Sequence, residues 1–336
     1  MTVVDLHTHF FPAAWPDLAA RFGTPDWPWL RRDGPDDATV MIGGREFRPI
    51  TSACWDADVR LADMDRDGVD VQVVSATPVL FAYERPATHA LECARIFNDA
   101  LLELCAAGRG RLVPLAQVPL QDTELACREL DRALAAGMAG VQIGNHVGDR
   151  DLDDTQLVEF LAHCASVGAP VFVHPWDMFG GCRLEDWMLA WTVAMPAETQ
   201  LSLQRMILGG AFDRLPRDLR ICFAHGGGSF SFLLGRLENA WHRRDIVRGH
   251  STAPPTTYLD RFAVDSAVYD ERALRYLVDV MGVDSVLLGS DYPFPLGEER
   301  VGRTIRACGF AHDVERQLLG TNAVEFLRLG PGHGHG

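Results

Sequence analysis

Apolar residues in this chain fall into short runs, separated by longer stretches in which they recur every three or four positions. Eight runs read as strands: near 2–9 (TVVDLHTH), 69–76 (VDVQVVSA), 112–118 (LVPLAQV), 139–145 (AGVQIGN), 170–174 (PVFVH), 219–225 (LRICFAH), 262–266 (FAVDS) and 285–291 (SVLLGSD). Several are almost wholly Val, Ile and Leu, the pattern of strands covered on both faces of a parallel sheet. The intervening stretches predict helices near 86–107, 122–136, 153–167, 195–213, 228–247, 270–281 and 312–327. Asp153, Asp154 and Glu198 fall in first turns, where the helix dipole favours negative charge. Eight strands alternating with helices predict an α/β fold, a (β/α)8 TIM-like barrel. The rival is an open doubly wound sheet.

Residues 12–60 break the rhythm. They are rich in proline and tryptophan and read as a flap inserted after the first strand, over the barrel mouth. We therefore expect one barrel domain over 1–330 and a disordered tail at 331–336, whose His333 and His335 carry no function.

Composition removes several classes. The net charge of −15 opposes a nucleic-acid or anionic-membrane partner. No uninterrupted apolar run is long enough for a membrane span. The first residues lack the basic start of a secretion signal, so a cytoplasmic protein is expected. The eight cysteines form no C-x-x-C pair and read as reduced, buried thiols. All 31 basic residues are arginine. Without lysine there is no Schiff-base or pyridoxal phosphate chemistry, no metal pair bridged by a carboxylated lysine, and no Walker-type phosphate loop.

The strand ends carry candidate chemistry. His7 and His9 lie two apart and so share one side of a strand. Strand 4 ends Asn145-His146, strand 5 on His174, strand 6 on His225 and strand 8 on Asp291. Polar groups at these ends of barrel strands converge on one site, which favours the barrel over the open sheet. His7, His9, His174 and Asp291 would hold a divalent cation, zinc or another such as cobalt, with a position left for water. Such a cation lowers the pKa of bound water toward ~7. His225 is either the base for that water or a fifth ligand. Arg48 and Arg236 are either grips for a substrate carboxylate or solvated charges. Trp176, Trp187, Trp191, Tyr292 and Phe294 either wall a pocket or pack loops.

Taken together, Asp5-x-His7-x-His9, His174, His225 and Asp291 resemble the amidohydrolase superfamily, and the lack of lysine fits its single-metal branch. Longer stretches resemble its decarboxylases: Gln117-Val118-Pro119-Leu120-Gln121-Asp122, His174-Pro175-Trp176-Asp177-Met178, His225-Gly226-Gly227-Gly228-Ser229-Phe230 and Leu288-Gly289-Ser290-Asp291-Tyr292-Pro293. The likeness runs from about residue 3 to residue 328. It implies one zinc on His7, His9, His174 and Asp291, with His225 and Asp291 as the catalytic pair and His225 not a ligand. It implies that Arg48 binds a carboxylate, that Trp191 and Phe294 line the pocket, and that Arg236 reaches the neighbouring subunit of a homodimer. The implied reaction is non-oxidative loss of carbon dioxide from a small dicarboxylate of tryptophan breakdown, through metal-bound hydroxide. The competing readings are a hydroxybenzoate-type decarboxylase or a hydrolase on the same scaffold, and a non-catalytic metal-binding barrel.

Overall fold

The computed structural model describes residues 2–330, so the expectations for the tail and its His333 and His335 lie outside the described residues. In chain order the strands are β1 (Val4–Phe10), β2 (Pro28–Arg32), β3 (Asp37–Ile42), β4 (Arg45–Thr51), β5 (Val71–Ala76), β6 (Leu112–Ala116), β7 (Gly140–Gly144), β8 (His146–Val147), β9 (Arg150–Asp151), β10 (Val171–His174), β11 (Ile221–Phe223), β12 (Ala263–Asp265) and β13 (Val286–Leu287). Eight of them form one parallel sheet in the order β1-β5-β6-β7-β10-β11-β12-β13. Every strand follows its neighbour around the sheet, which is the winding of a barrel and not of a doubly wound sheet. The ring closes just past β13. There Leu6 N–H donates to the Leu288 carbonyl, Asp291 N–H to that of His7, and His9 N–H to that of Tyr292.

All eight expected strands are present. Their inward side chains form a plug at one end of the barrel: Val4, Leu6, Val71, Val73, Val113, Leu115, Phe172, Cys222 and Leu287, with Ala323 and Leu327 of the last helix beneath. The functional end depends on an irregularity in β1. Asp5 pairs with Gln72 and Thr8 with Val74, so β1 carries one residue more than β5 over that interval. Such a bulge resets the two-residue alternation. Val4 and Leu6 face inward below it, and His7 and His9 face inward above it.

The helices pack outside, and three of them differ from expectation. The helix predicted over 195–213 stops at Leu208 and resumes as Ala211–Arg214, because Gly210 is left-handed. The one predicted over 228–247 ends at Arg243, with a separate short turn at Asp245–Arg248. The last, His312–Leu327, contains a wider turn at Gln317–Thr321. A Cβ on Gly320 there would stand 1.8 Å from the Thr2 carbonyl oxygen. Among the described residues no helix is long and apolar enough to cross a membrane.

The segment after β1 contains an antiparallel sheet, β2-β3-β4. It ends earlier than residue 60, because Asp56 caps a helix over Ala57–Asp67 by accepting the N–H groups of Asp58 and Val59. That helix escaped the sequence reading because one of its buried positions is an arginine, Arg60. A second bulge lies in β4, where Val40 faces Arg48 but Met41 faces Glu46. It lets Phe47 pack on Trp176 while Arg48 lies over Phe294.

Candidate metal centre

Four side chains from three strand ends meet at the barrel mouth. His7 and His9 come from β1, His174 ends β10, and Asp291 follows β13. One donor atom from each lies within 4.8 Å of all the others. His7 Nε2 stands 3.1 Å from His9 Nε2, and Asp291 Oδ1 lies 3.1 Å from His9 Nε2 and 3.5 Å from His7 Nε2. Donors around a tetrahedral cation at ordinary Zn–N and Zn–O lengths sit ~3.4 Å apart, so the spacing fits a divalent cation. Tautomers fit as well. His7 Nδ1 bonds Asp265 Oδ2 at 2.6 Å, and His174 Nδ1 bonds the Pro175 carbonyl at 2.9 Å, which leaves each Nε2 free to ligate.

Burial sets the protonation of most of these groups. Burial lowers the pKa of His9 to about 4 and that of His174 well below its ordinary value, keeping both neutral. At Asp291 burial pushes upward, but the hydrogen bond with His9 and the surrounding imidazoles outweigh it and hold the carboxyl well below the usual range. His7 is the exception: burial lowers it, yet the Asp265 bond and the nearby carboxylates raise it overall.

His225 adjoins this set and is not among its four mutually close donors. Its ring is 5.0 Å from that of His174 and 5.2 Å from that of His7, and its Nε2 is 4.0 Å from Asp291 Oδ2. Burial, then the charge of His7, lowers its pKa, so it is a free base at neutral pH. The glycines after it allow a close internal approach. Gly226, Gly227 and Gly228 are left-handed, and a Cβ on Gly228 would stand 1.9 Å from the Pro196 carbonyl oxygen.

Of the supporting groups, only Asp5 was singled out in the sequence. Asp265 sits at the end of β12, where the same strand-end rule could have found it. Asp5 accepts from the backbone N–H of His7 and from the N–H and hydroxyl of Ser290. Arg60 is fully buried and donates to the Thr8 hydroxyl, the Gln72 side chain and the His9 carbonyl, with Tyr292 stacked on it. Tyr292 therefore faces back into the protein and bonds Asp63 instead of lining a pocket.

Toward solvent, Phe294 stacks on His9 with ring centres 5.4 Å apart, and Arg48 lies 4.3 Å above the Phe294 ring. Arg48 feels the Asp291 charge, and its side chain forms no hydrogen bond or ion pair to any described residue. Trp191 is half-buried in the turn Ala190–Ala194. Trp187 is 86% exposed and walls nothing within this chain. Asn145 and His146 do not reach the cation donors. Asn145 binds Glu198 and the Trp176 N–H, and His146 bonds the Gly148 and Asp177 carbonyls, so both brace the loop after β10. Arg236 is exposed on the helix Phe230–Arg243.

The chain matches a known family: the amidohydrolase model covers residues 4–329. The chain belongs to the amidohydrolase family. Within that family it is 44% identical to 2-amino-3-carboxymuconate-6-semialdehyde decarboxylase of Dictyostelium discoideum, over 98% of this chain and 92% of that one. It is 31% identical to the enzyme of the same name from Caenorhabditis elegans, over 97% and 94%. Among solved structures, apo IDCase of Metarhizium anisopliae superposes with a TM-score of 0.84 at 26% identity, covering 97% of each chain.

Proposed function

We propose that this amidohydrolase removes carbon dioxide from 2-amino-3-carboxymuconate-6-semialdehyde without oxidation, giving 2-aminomuconate-6-semialdehyde in tryptophan breakdown. The observation that carries this reading is the 44% identity to a decarboxylase of that name over nearly the whole chain. The site geometry agrees with it. His7, His9, His174 and Asp291 would hold one cation, and a set of imidazoles and one carboxylate suits zinc. When bound, the cation would supply Lewis acidity and an acidified water. His225 takes a proton from water at Nε2 and delivers it to the carbon that loses carbon dioxide, where it replaces the departing carboxyl group, and a proton from solvent restores the water. Asp291 Oδ2 faces that nitrogen at 4.0 Å and stabilises the imidazolium. Arg48, unpaired and partly desolvated, grips a substrate carboxylate, and Phe294 and Trp191 flank its conjugated chain. Eight free cysteines among the described residues fit a reducing compartment such as the cytoplasm.

The test is anaerobic turnover of that semialdehyde by purified, zinc-loaded protein, with carbon dioxide measured directly. Arg48→Ala should raise KM and cut kcat/KM by about 10²-fold, the loss of a charge-assisted pair. Turnover of a dihydroxybenzoate in its place, or indifference to Arg48→Ala, would move the substrate assignment.

We further propose a homodimer in which Arg236 of each chain completes its neighbour's pocket. Arg236 shares one helix face with Phe232, which is 78% exposed and abuts the half-exposed Tyr276. An apolar patch with an arginine on it suits a subunit interface. Sedimentation should give a dimer, and Arg236→Ala and His225→Ala chains should each be nearly inactive. Co-refolded, they should recover about a quarter of wild-type activity, since half the dimers then contain one intact site. No recovery means that Arg236 acts within its own chain or not at all.

A further inference from the structure

Asp265 has both oxygens committed at the barrel mouth. Oδ2 accepts from His7 Nδ1 at 2.6 Å. Oδ1 accepts the N–H of Gly226 at 2.8 Å and that of Ala267 at 3.0 Å. Gly226 directly follows His225, and both residues are left-handed. A single buried carboxylate thus joins the imidazole of one cation ligand to the main chain bearing the non-ligand histidine.

His225 needs such an anchor. Its Nδ1 is buried and has no hydrogen-bond partner among the described residues. A histidine base usually has its far nitrogen held by a carboxylate, which fixes tautomer and orientation. Here no described residue holds the far nitrogen, so the backbone aims the ring. The crowding around Asp265 is consistent with a fixed position. A Cβ on Gly289 would stand 2.8 Å from the Asp265 Cβ and 2.9 Å from the His7 Cβ, so the pair can approach only because residue 289 has no side chain.

We propose that Asp265 is a positioning residue shared by His7 and His225, coupling cation occupancy to the placement of the base. This rests on the reading above, in which His7 ligates and His225 handles the proton. A cation on His7 Nε2 makes Nδ1–H a stronger donor to Oδ2. The tightened carboxylate then holds the Gly226 N–H, and with it His225, more firmly.

The test uses the whole chain with zinc as the probe. Zinc affinity is measured by competition with a chelator for wild type, Asp265→Asn and Asp265→Ala, with folding followed by circular dichroism. Asp265→Asn should bind zinc about 10–100-fold more weakly. When saturated with zinc, it should lose kcat while KM stays near wild type. Hydrogen exchange of the peptide around Gly226 gives a readout that a merely structural role would not move. In wild type, exchange should be slower with zinc than with chelator, and in Asp265→Asn that difference should vanish. Wild-type zinc affinity in Asp265→Asn, or exchange at Gly226 indifferent to zinc in the wild type, overturns the inference alone. If neither variant folds, the wild-type exchange measurement decides. A wild-type chain that takes up no zinc removes the metal-centre reading and this inference with it.

Discussion

Replacing His225 with alanine is expected to lower kcat by about 10²–10⁴-fold, the range for a lost general base, and to leave one cation per chain. The two halves of this prediction come from separate observations. The donor atoms of His7, His9, His174 and Asp291 lie mutually within 4.8 Å, a set complete without His225. The His225 pKa is pushed down by burial and then by His7, so at neutral pH the ring is ready to accept a proton. Its Nε2 stands 4.0 Å from Asp291 Oδ2, too far for a hydrogen bond and close enough to stabilise an imidazolium. Metal analysis and steady-state turnover on the same preparation test both halves. Loss of the cation along with activity would return His225 to the ligand set.

Stripping the cation with a chelator should abolish turnover and lower the melting temperature, and stoichiometric zinc should restore both. The four donor atoms lie within 4.8 Å of one another and three of the four residues are buried, so removing a cation would leave closely spaced polar atoms with little access to water. A ligand that binds only the folded chain adds ~2.7 kcal/mol at a hundredfold excess over its dissociation constant, so the effect on melting should be plain. Chelator-treated protein with almost no metal and undiminished turnover would defeat the metal-centre reading.

Much of the barrel and the donor set was legible because both rest on local pattern. Apolar runs announce the strands. The polar residue that ends a run announces the mouth, as at His174 and Asp291. What stayed hidden depends on contacts between distant segments. Asp265 reads like any strand-end aspartate until its bonds to His7 and Gly226 are seen. The helix Ala57–Asp67 is masked by Arg60, a buried cation whose partners are backbone and side-chain oxygens of β1 and β5. Asn145 satisfies the same strand-end rule as His174, yet it is taken up by Glu198 and the Trp176 N–H. The rule finds polar residues at the mouth without telling a ligand from a brace. Trp187 shows the limit for aromatics, since proximity in sequence to His174 did not bring it to the pocket.

The bulge in β1 constrains how this gene can change. Between Asp5 and Thr8 the strand has one residue more than its neighbour, and that extra residue keeps Val4 and Leu6 in the plug and His7 and His9 at the mouth. Losing one codon there would turn either the plug pair or the histidine pair outward. Substitutions along β1 can be sampled one at a time, but its length is fixed. Changes in length should collect instead in the segment between β1 and the helix at Ala57, where a small separate sheet can grow or shrink without altering the register of the barrel.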